Sequence, residues 1–371
     1  MREFFGGNKV KKAKSIKEIA ELAGVSTATV SRVINQNGRF SQETEARVRS
    51  IIAQNDYVPN MTAKGLRTNR TRVIGIMVPD ITNPHFSSIV LKLEMNLFRR
   101  GYSCLICNTN ENADLEKKHV QSLTAQNVSG IVMISSTRNY AELGALPVVY
   151  LDRPSRSGGN SGVMIESDNV MGGYLATREL LNAGCRKVVI LKCLSNDTNQ
   201  TARYEGFCQA LMEKGITEEE ALCVNLKEVS IAAARKATLE LLDAKSVFDG
   251  VMCTTDTVAA GAVIALRERG LQVPHDVLVT GFDDCQLAVV CGPGLTSVRQ
   301  NVDEMARLAT ELLLKMIRGE RPGSVYYRLP VSVTVRDSTR PGGMGLAPAP
   351  LHTTVPEQKD AAGPGSPEHF D

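Results

Sequence analysis

The feature of this sequence that most constrains its fold is an alternation of short apolar strands with amphipathic helices, which occurs twice in succession. VIGIMVP precedes a helical pattern at Ser87–Arg100, YSCLICN precedes another at Asp114–Gln126, and GIVMIS and PVVYLD follow. A second set opens with a helix at Val170–Ala183 and continues through KVVILKC, a helix over Ala202–Lys214 and one at Ile231–Asp243. DGVMCTT, a helix at Val258–Arg269 and VLVTGFDD complete it. Apolar runs of strand length separated by helices call for parallel sheets covered by helices on both faces. Two such sets predict two similar α/β lobes. A further helix at Asn301–Arg318 and the strand-like YYRLPVSVTV come after them.

The chain ahead of residue 73 has a different texture and a different charge. Its first 72 residues carry 14 Lys and Arg against 6 Asp and Glu, a formal +8. The rest carries 29 against 34, a formal −5. A basic head on a mildly acidic body suggests a nucleic-acid-binding module joined to something else. Within it Ile16, Ile19, Ala20 and Ala23 share one helical face, Gly24 and Val25 interrupt the pattern, and Ser26 opens a second helix, TATVSRVI. A third helix starts near Ser41 and Glu45, with Ala46, Val48, Ile51 and Ile52 as its apolar contacts.

Ile16 to Ile34 therefore has the layout of a helix–turn–helix. Gly24 supplies the tight turn, Ser26 is a good N-cap, and Val25, Val30 and Ile34 face inward. Thr27, Ala28, Ser31, Arg32 and Asn35 are left on the outer face. These groups suit a DNA groove: Arg spans both acceptors of a guanine, and Ala or a Thr methyl touches a thymine methyl.

Cysteine usage points to a reducing compartment. The nine cysteines are odd in number and scattered. Cys104 and Cys107 make a C-x-x-C, but an offset of three along a strand puts them on opposite faces. No histidine stands at ligand spacing, so neither a metal nor another cofactor is expected. The apolar runs are far shorter than the roughly 18 residues a membrane span needs, and no leader-like segment opens the chain, so a cytoplasmic protein without membrane contact is expected.

AGVSTATVSRVIN, followed by Tyr57, Pro59, Asn60 and Leu66, resembles the headpiece of the lactose-repressor (LacI/GalR) family of bacterial transcription regulators. VIGIMVPDITNPHFSSI, DNVMGGYLAT, VTGFDDCQLA and TSVRQNVDEMA resemble that family's regulatory core, and the likeness runs from Ser15 to about Asp337. The resemblance implies a two-lobed core like that of periplasmic binding proteins. The expected division is a basic arm at 1–14, a headpiece at 15–58, a hinge at 59–72, a core at 73–340 and a disordered tail at 341–371. The lobes are expected at 73–167 plus 300–326 and at 168–299 plus 327–340.

For DNA binding the resemblance implies Ser26, Thr27, Ala28, Thr29, Ser31, Arg32, Asn35 and Tyr57. From the hinge it implies Asn60, Ala63, Lys64 and Leu66. Thr27 and Ala28 would read base edges. Asn60 to Leu66 would become helical only on operator DNA, where Leu66 from each subunit of a homodimer wedges a base step apart. For the effector, a small molecule and most simply a sugar held between the lobes, it implies Phe86, Asp152, Arg203, Thr255 and Asp283. Thr255 stands where the family often has Asn, and Ile134 is apolar where some members use a polar contact. A phosphorylated protein co-regulator is a further partner this reading admits.

Two other classes fit less well. An enzyme on α/β lobes needs a phosphate loop or a catalytic constellation, and the sequence holds no G-x-x-x-x-G-K-[ST], G-x-S-x-G or H-E-x-x-H. An extracytoplasmic solute-binding protein would have a leader and no basic headpiece.

Overall fold

A computed structural model describes residues 14–55, 57, 71–134, 143–152, 162–193, 198–217 and 220–340. The expectations for the arm at 1–13, for Asn60, Ala63, Lys64 and Leu66 in the hinge, and for the tail at 341–371 lie outside these residues.

The headpiece is three helices, α1 (Ile16–Ala23), α2 (Thr27–Asn35) and α3 (Gln42–Gln54). Each starts at a serine. Ser15 Oγ accepts the Glu18 N–H while the Glu18 carboxylate accepts the Ser15 N–H at 2.6 Å, a reciprocal cap. Ser26 and Ser41 accept the N–H groups of Thr29 and Thr44. Helix α1 ends at Gly24 with φ +62°, and nothing lies within 4 Å of where its Cβ would be. The left-handed turn, not space, calls for glycine there. Ile19, Ala20, Ala23, Val30, Val33, Val48 and Tyr57 make the core, with Val25, Ile34, Ile51 and Ile52 packed on it. Two expectations are corrected here. Val33 is buried where the sequence reading passed over it, and Ala46 is exposed, because α3 turns only its Val48 face inward.

Beyond the headpiece the chain runs β1 (Val73–Val78), α4 (Pro84–Phe98), β2 (Ser103–Asn108), α5 (Ala113–Ala125), β3 (Gly130–Ile134), β4 (Val148–Leu151) and β5 (Val163–Ser167). It continues through α6 (Asn169–Asn182), β6 (Val188–Cys193), α7 (Thr198–Glu213), β7 (Leu222–Leu226), α8 (Ile231–Asp243), β8 (Gly250–Cys253) and α9 (Asp256–Glu268). The last elements are β9 (Leu278–Asp283), α10 (Gln286–Val290), β10 (Thr296–Arg299), α11 (Val302–Ile317), β11 (Tyr326–Leu329) and β12 (Ser332–Thr334).

These elements form two six-stranded sheets, ordered β11-β5-β4-β3-β1-β2 and β12-β10-β9-β8-β6-β7. The first is parallel throughout, with Ile74 opposite both Cys104 and Gly130. The second is parallel except for β12, which pairs antiparallel with β10. In the first lobe α4 and α11 cover one face over Ile74, Ile76, Leu93 and Leu313, and α5 covers the other over Met77, Leu123 and Met133. Cys104 packs on the first side and Cys107 on the second, as an offset of three requires. All nine cysteines are free. In the second lobe Val189, Val251, Val258, Ala262 and Val279 build the main core.

Several helices begin earlier than their apolar pattern. Helix α4 starts at Pro84 rather than Ser87, because Asn83 Oδ1 accepts the His85 N–H at 2.9 Å and proline fits the first turn. YYRLPVSVTV is two strands in two sheets, divided at Pro330, whose missing N–H cannot continue a ladder. The first unit holds the described residues up to Asn169 and from Gln300 to Val331, with Thr198 and Asn199 grouped with it. The second holds the others through Arg299 and from Ser332 onward. The expected crossing at 326/327 thus falls at 331/332, since β11 pairs with β5 of the first sheet. Among the described residues no helix is long and apolar enough to cross a membrane, and no acidic, His and Cys cluster could hold a metal.

Candidate functional site

In the headpiece, α2 buries Val30 and Val33 and turns its opposite side outward. Thr27, Ala28, Arg32 and Asn35 are exposed, and Thr29 and Ser31 are half-buried. Ser26 and Thr29 spend part of their polarity within the helix start, their hydroxyls 3.0 Å apart. Asn35 turns back on its own helix and donates to the Ser31 carbonyl at 2.6 Å. Thr27 and Ala28 are therefore presented outward at the amino-terminal end of α2, where a helix in a major groove meets base edges, and Arg32 is presented outward in its last turn. Tyr57 is placed differently: it is 8% exposed and joins the headpiece core, and burial raises its hydroxyl above the ordinary range.

The five core residues assigned to an effector lie at or after the carboxyl ends of parallel strands. In open α/β sheets ligands bind at that edge, near the point where strand order reverses. Each sheet reverses beside its first-laid central strand, between β1 and β3 in one and between β6 and β8 in the other.

The first lobe places Phe86 in α4, after β1, and Asp152 immediately after β4. Phe86 is 7% exposed, tilts against His85 with ring centroids 5.7 Å apart, and belongs to the lobe's core. His85 is buried as well, and the Gln300 side-chain amide donates to its Nε2 at 3.2 Å. Asp152 is buried at φ +73°, with its N–H donating to the Ile165 carbonyl. A non-glycine residue in that conformation is uncommon. Ile134 lies in the core.

The second lobe brings Arg203 and Asp283 together. Arg203, on α7, is buried and lies 3.6 Å above the Phe282 ring centroid. Its Nη1 donates to the Thr254 carbonyl at 2.6 Å and stands 4.0 Å from Asp283 Oδ1. A guanidinium this dry is held by a ring face, a carbonyl and a carboxylate at once. Thr255 sits beside the pair, but its hydroxyl caps α9 by accepting the Val258 N–H at 3.2 Å.

Sequence reasoning missed the groups around this pair. Asp256 is wholly buried, accepts the Ser297 hydroxyl at 2.6 Å and the Cys285 N–H at 2.8 Å, and is pushed up to about 7 by burial and by the Asp283 charge. Asp284 accepts from Arg299, Arg336 and Thr334. Burial raises it, and these hydrogen bonds outweigh burial to hold it below the ordinary carboxylate range. The sequence offered only the triplet Asp283, Asp284 and Cys285, in which the roles of the two acids cannot be told apart. Ser297 and Arg299 come from β10, and Arg336 from the segment after β12.

Comparison with known proteins agrees with this division of labour. The family described as bacterial regulatory proteins, lacI family, matches residues 15–60, and the periplasmic binding protein-like domain matches residues 177–339. The ribose operon repressor of Halalkalibacterium halodurans is 34% identical over 331 residues, spanning 88% of this chain and 98% of the relative. The transcriptional regulator CelR–cellobiose complex is similar in structure, with a TM-score of 0.67 and 29% identity over 88% of this chain and 99% of that one. The lac repressor dimer bound to operator and the anti-inducer ONPF gives a TM-score of 0.80 and 25% identity, with the same coverage of both chains.

Proposed function

The chain belongs to the LacI family of bacterial regulatory proteins, and from that premise we propose that it is a repressor whose grip on operator DNA is set by a sugar bound in its core. It is a DNA-binding regulator and not an enzyme. The reading of the DNA face rests on α2, which exposes Thr27 and Ala28 at its amino-terminal end and Arg32 in its last turn. Arg32 supplies a base or phosphate contact, Thr27 and Ala28 read base edges, and Ser26, Thr29, Ser31 and Asn35 order the helix or touch the backbone. Two copies of the chain act on a near-palindromic operator. Asn60, Ala63, Lys64 and Leu66 add contacts to operator DNA, with Leu66 as an apolar wedge at a base step. Tyr57, packed inside the headpiece, acts by holding α3 rather than by direct contact.

The observation that carries the effector reading is the buried Arg203–Asp283 pair at the carboxyl edge of the second sheet. An ionised donor and acceptor fixed side by side suit adjacent sugar hydroxyls, which both give and take hydrogen bonds. Phe86 supplies an apolar wall and Asp152 a further acceptor, while Thr255 shapes the edge through its helix cap. Relatives named for ribose and cellobiose support a carbohydrate.

A thermal-shift screen of the full chain with D-ribose, cellobiose and other mono- and disaccharides tests this. A sugar at about 100 times its dissociation constant adds about 2.7 kcal/mol of stability. That gain is expected for at least one sugar and should vanish in Arg203→Ala and Asp283→Ala. A sugar that stabilises both variants as it does the parent would contradict the assignment.

A further inference from the structure

We propose that Asp256 is a positioning residue, whose carboxylate clamps the Asp283–Cys285 turn in the conformation that presents Asp283 to the effector. The proposal rests on the effector reading above and deepens it.

Asp256 is not itself assigned to the sugar, but it follows Thr255 in the chain, feels the Asp283 charge and ties three elements together. It occupies the first turn of α9, where a carboxylate is favoured by the helix dipole. Its Oδ1 accepts the Ser297 hydroxyl from β10, and its Oδ2 accepts the Cys285 N–H from the turn after β9. Ser297 Oγ in turn accepts the Asp284 N–H at 3.0 Å. The result is a relay of one polarity, Asp284 N–H to Ser297 hydroxyl to Asp256, closed by a second bond from Cys285. Gly281 makes the approach possible, because a Cβ there would collide with Asp256 Oδ1.

The turn so held is one that does not hold itself. Asp283 has φ +109° and Asp284 φ +52°, two successive non-glycine residues in left-handed space. Such backbone persists only when its surroundings over-determine it. On its far side Asp284 is anchored by Arg299, Arg336 and Thr334. On its near side the Asp284 and Cys285 amides depend on Ser297 and Asp256.

The relay also fixes which form of Asp256 works. A proton on Oδ2 would face the Cys285 N–H, donor against donor. A proton on Oδ1 would compete with the Ser297 hydroxyl hydrogen. Only the ionised carboxylate accepts both bonds. The titratable and charged groups around it are Asp283 and Cys285 in the turn, Cys253 at the end of β8, Cys291 beyond α10, and Arg203, which faces Asp283 from α7. Burial and the Asp283 charge push Asp256 up to about 7, so the clamp gains and loses its proton near neutral pH.

The test is hydrogen exchange on the full chain, read in peptides covering Asp283–Cys291 and corrected for the chemical exchange rate, at about pH 6 and about pH 8. Wild type, Asp256→Asn and Ser297→Ala are compared, and each is titrated with D-ribose by calorimetry. Wild-type protection of the turn should rise about tenfold from the lower to the higher pH, the effect of one charge-assisted hydrogen bond. Asp256→Asn should be weakly protected at both, and Ser297→Ala should lose much of the gain, with operator binding unchanged in each. Where D-ribose binds, its affinity should follow the same profile. Equal protection at both pH values in wild type, or a wild-type profile in Asp256→Asn, would overturn the clamp. If Asp256→Asn does not fold, the wild-type profile and Ser297→Ala decide. If D-ribose binds no form, the sugar assignment for ribose fails, and the exchange data still judge the clamp.

Discussion

Replacing Arg203 with methionine keeps most of the side chain's volume and removes its charge from a dry site. Arg203 and Asp283 are 4% and 6% exposed at their side chains and 4.0 Å apart. At an effective dielectric of about 20 that separation corresponds to about 4 kcal/mol of attraction. Methionine also forfeits the bond to the Thr254 carbonyl and the stacking over Phe282. Against these losses stands the desolvation of the guanidinium, which methionine avoids. Removing one partner of a buried pair typically costs about 3–5 kcal/mol, because the other charge is left uncompensated. Here the consequence is larger at high pH, since Asp256 lies close enough to Asp283 for the two charges to raise its pKa. At about pH 8 the variant leaves two carboxylates facing each other. At about pH 5.5 Asp256 holds its proton and much of the penalty is relieved. Urea unfolding of the full chain, followed by far-ultraviolet circular dichroism at both pH values, measures this. The second-lobe transition should fall by about 3–5 kcal/mol at the higher pH and recover part of that at the lower. A loss under about 1 kcal/mol, or the same loss at both pH values, would refute the reasoning.

Three further outcomes follow from the same structure. Ile19→Ala opens a cavity in a headpiece with few buried side chains. The cost of about 2–5 kcal/mol rivals the about 3–5 kcal/mol that so small a core supplies, so operator binding should be lost while calorimetry shows sugar binding intact. Ser26→Ala removes the cap of α2 and should cost about 1 kcal/mol, seen as a lower headpiece melting temperature and weaker operator binding by fluorescence anisotropy. Asp256 has a folded-state value raised above its unfolded one, so its ionisation favours the unfolded chain. The stability it allows is full below the unfolded carboxylate range and falls as pH climbs to about 7. Asparagine does not titrate, so the melting temperature of Asp256→Asn relative to wild type should rise between about pH 5 and about pH 7 and level off above that, and a constant difference would contradict the buried charge.

The doubly wound lobes were legible in the sequence because buried parallel strands are apolar on both faces and helices separate them. VIGIMV and GIVMI, now β1 and β3, are buried almost throughout. The headpiece was legible because Gly24, Ser26 and the outward polar groups of α2 each have a local cause. Pro330 was the signal that YYRLPVSVTV divides, but which sheet each half joins depends on partners distant in the chain, β5 for the first half and β10 for the second, as the Tyr326–Glu166 contact illustrates. At the site, Arg203 and Asp283 carry charge and stand out as candidates. Asp256 does not, because its role depends on Ser297 and on the backbone N–H of Cys285, and no spacing rule links α9, β10 and the turn after β9. Tyr57 was assigned to DNA from the resemblance alone, and the structure packs it in the headpiece core.

The central claim is that the basic headpiece binds operator DNA by displacing counterions and that this grip belongs to a repressor. The most direct measurement is the affinity of the full chain for an operator selected from random DNA, taken across a salt series. With on the order of 6–10 phosphate contacts, affinity should fall about 10³–10⁵-fold between roughly 50 and 200 mM salt. An affinity that stays flat over that range would contradict it.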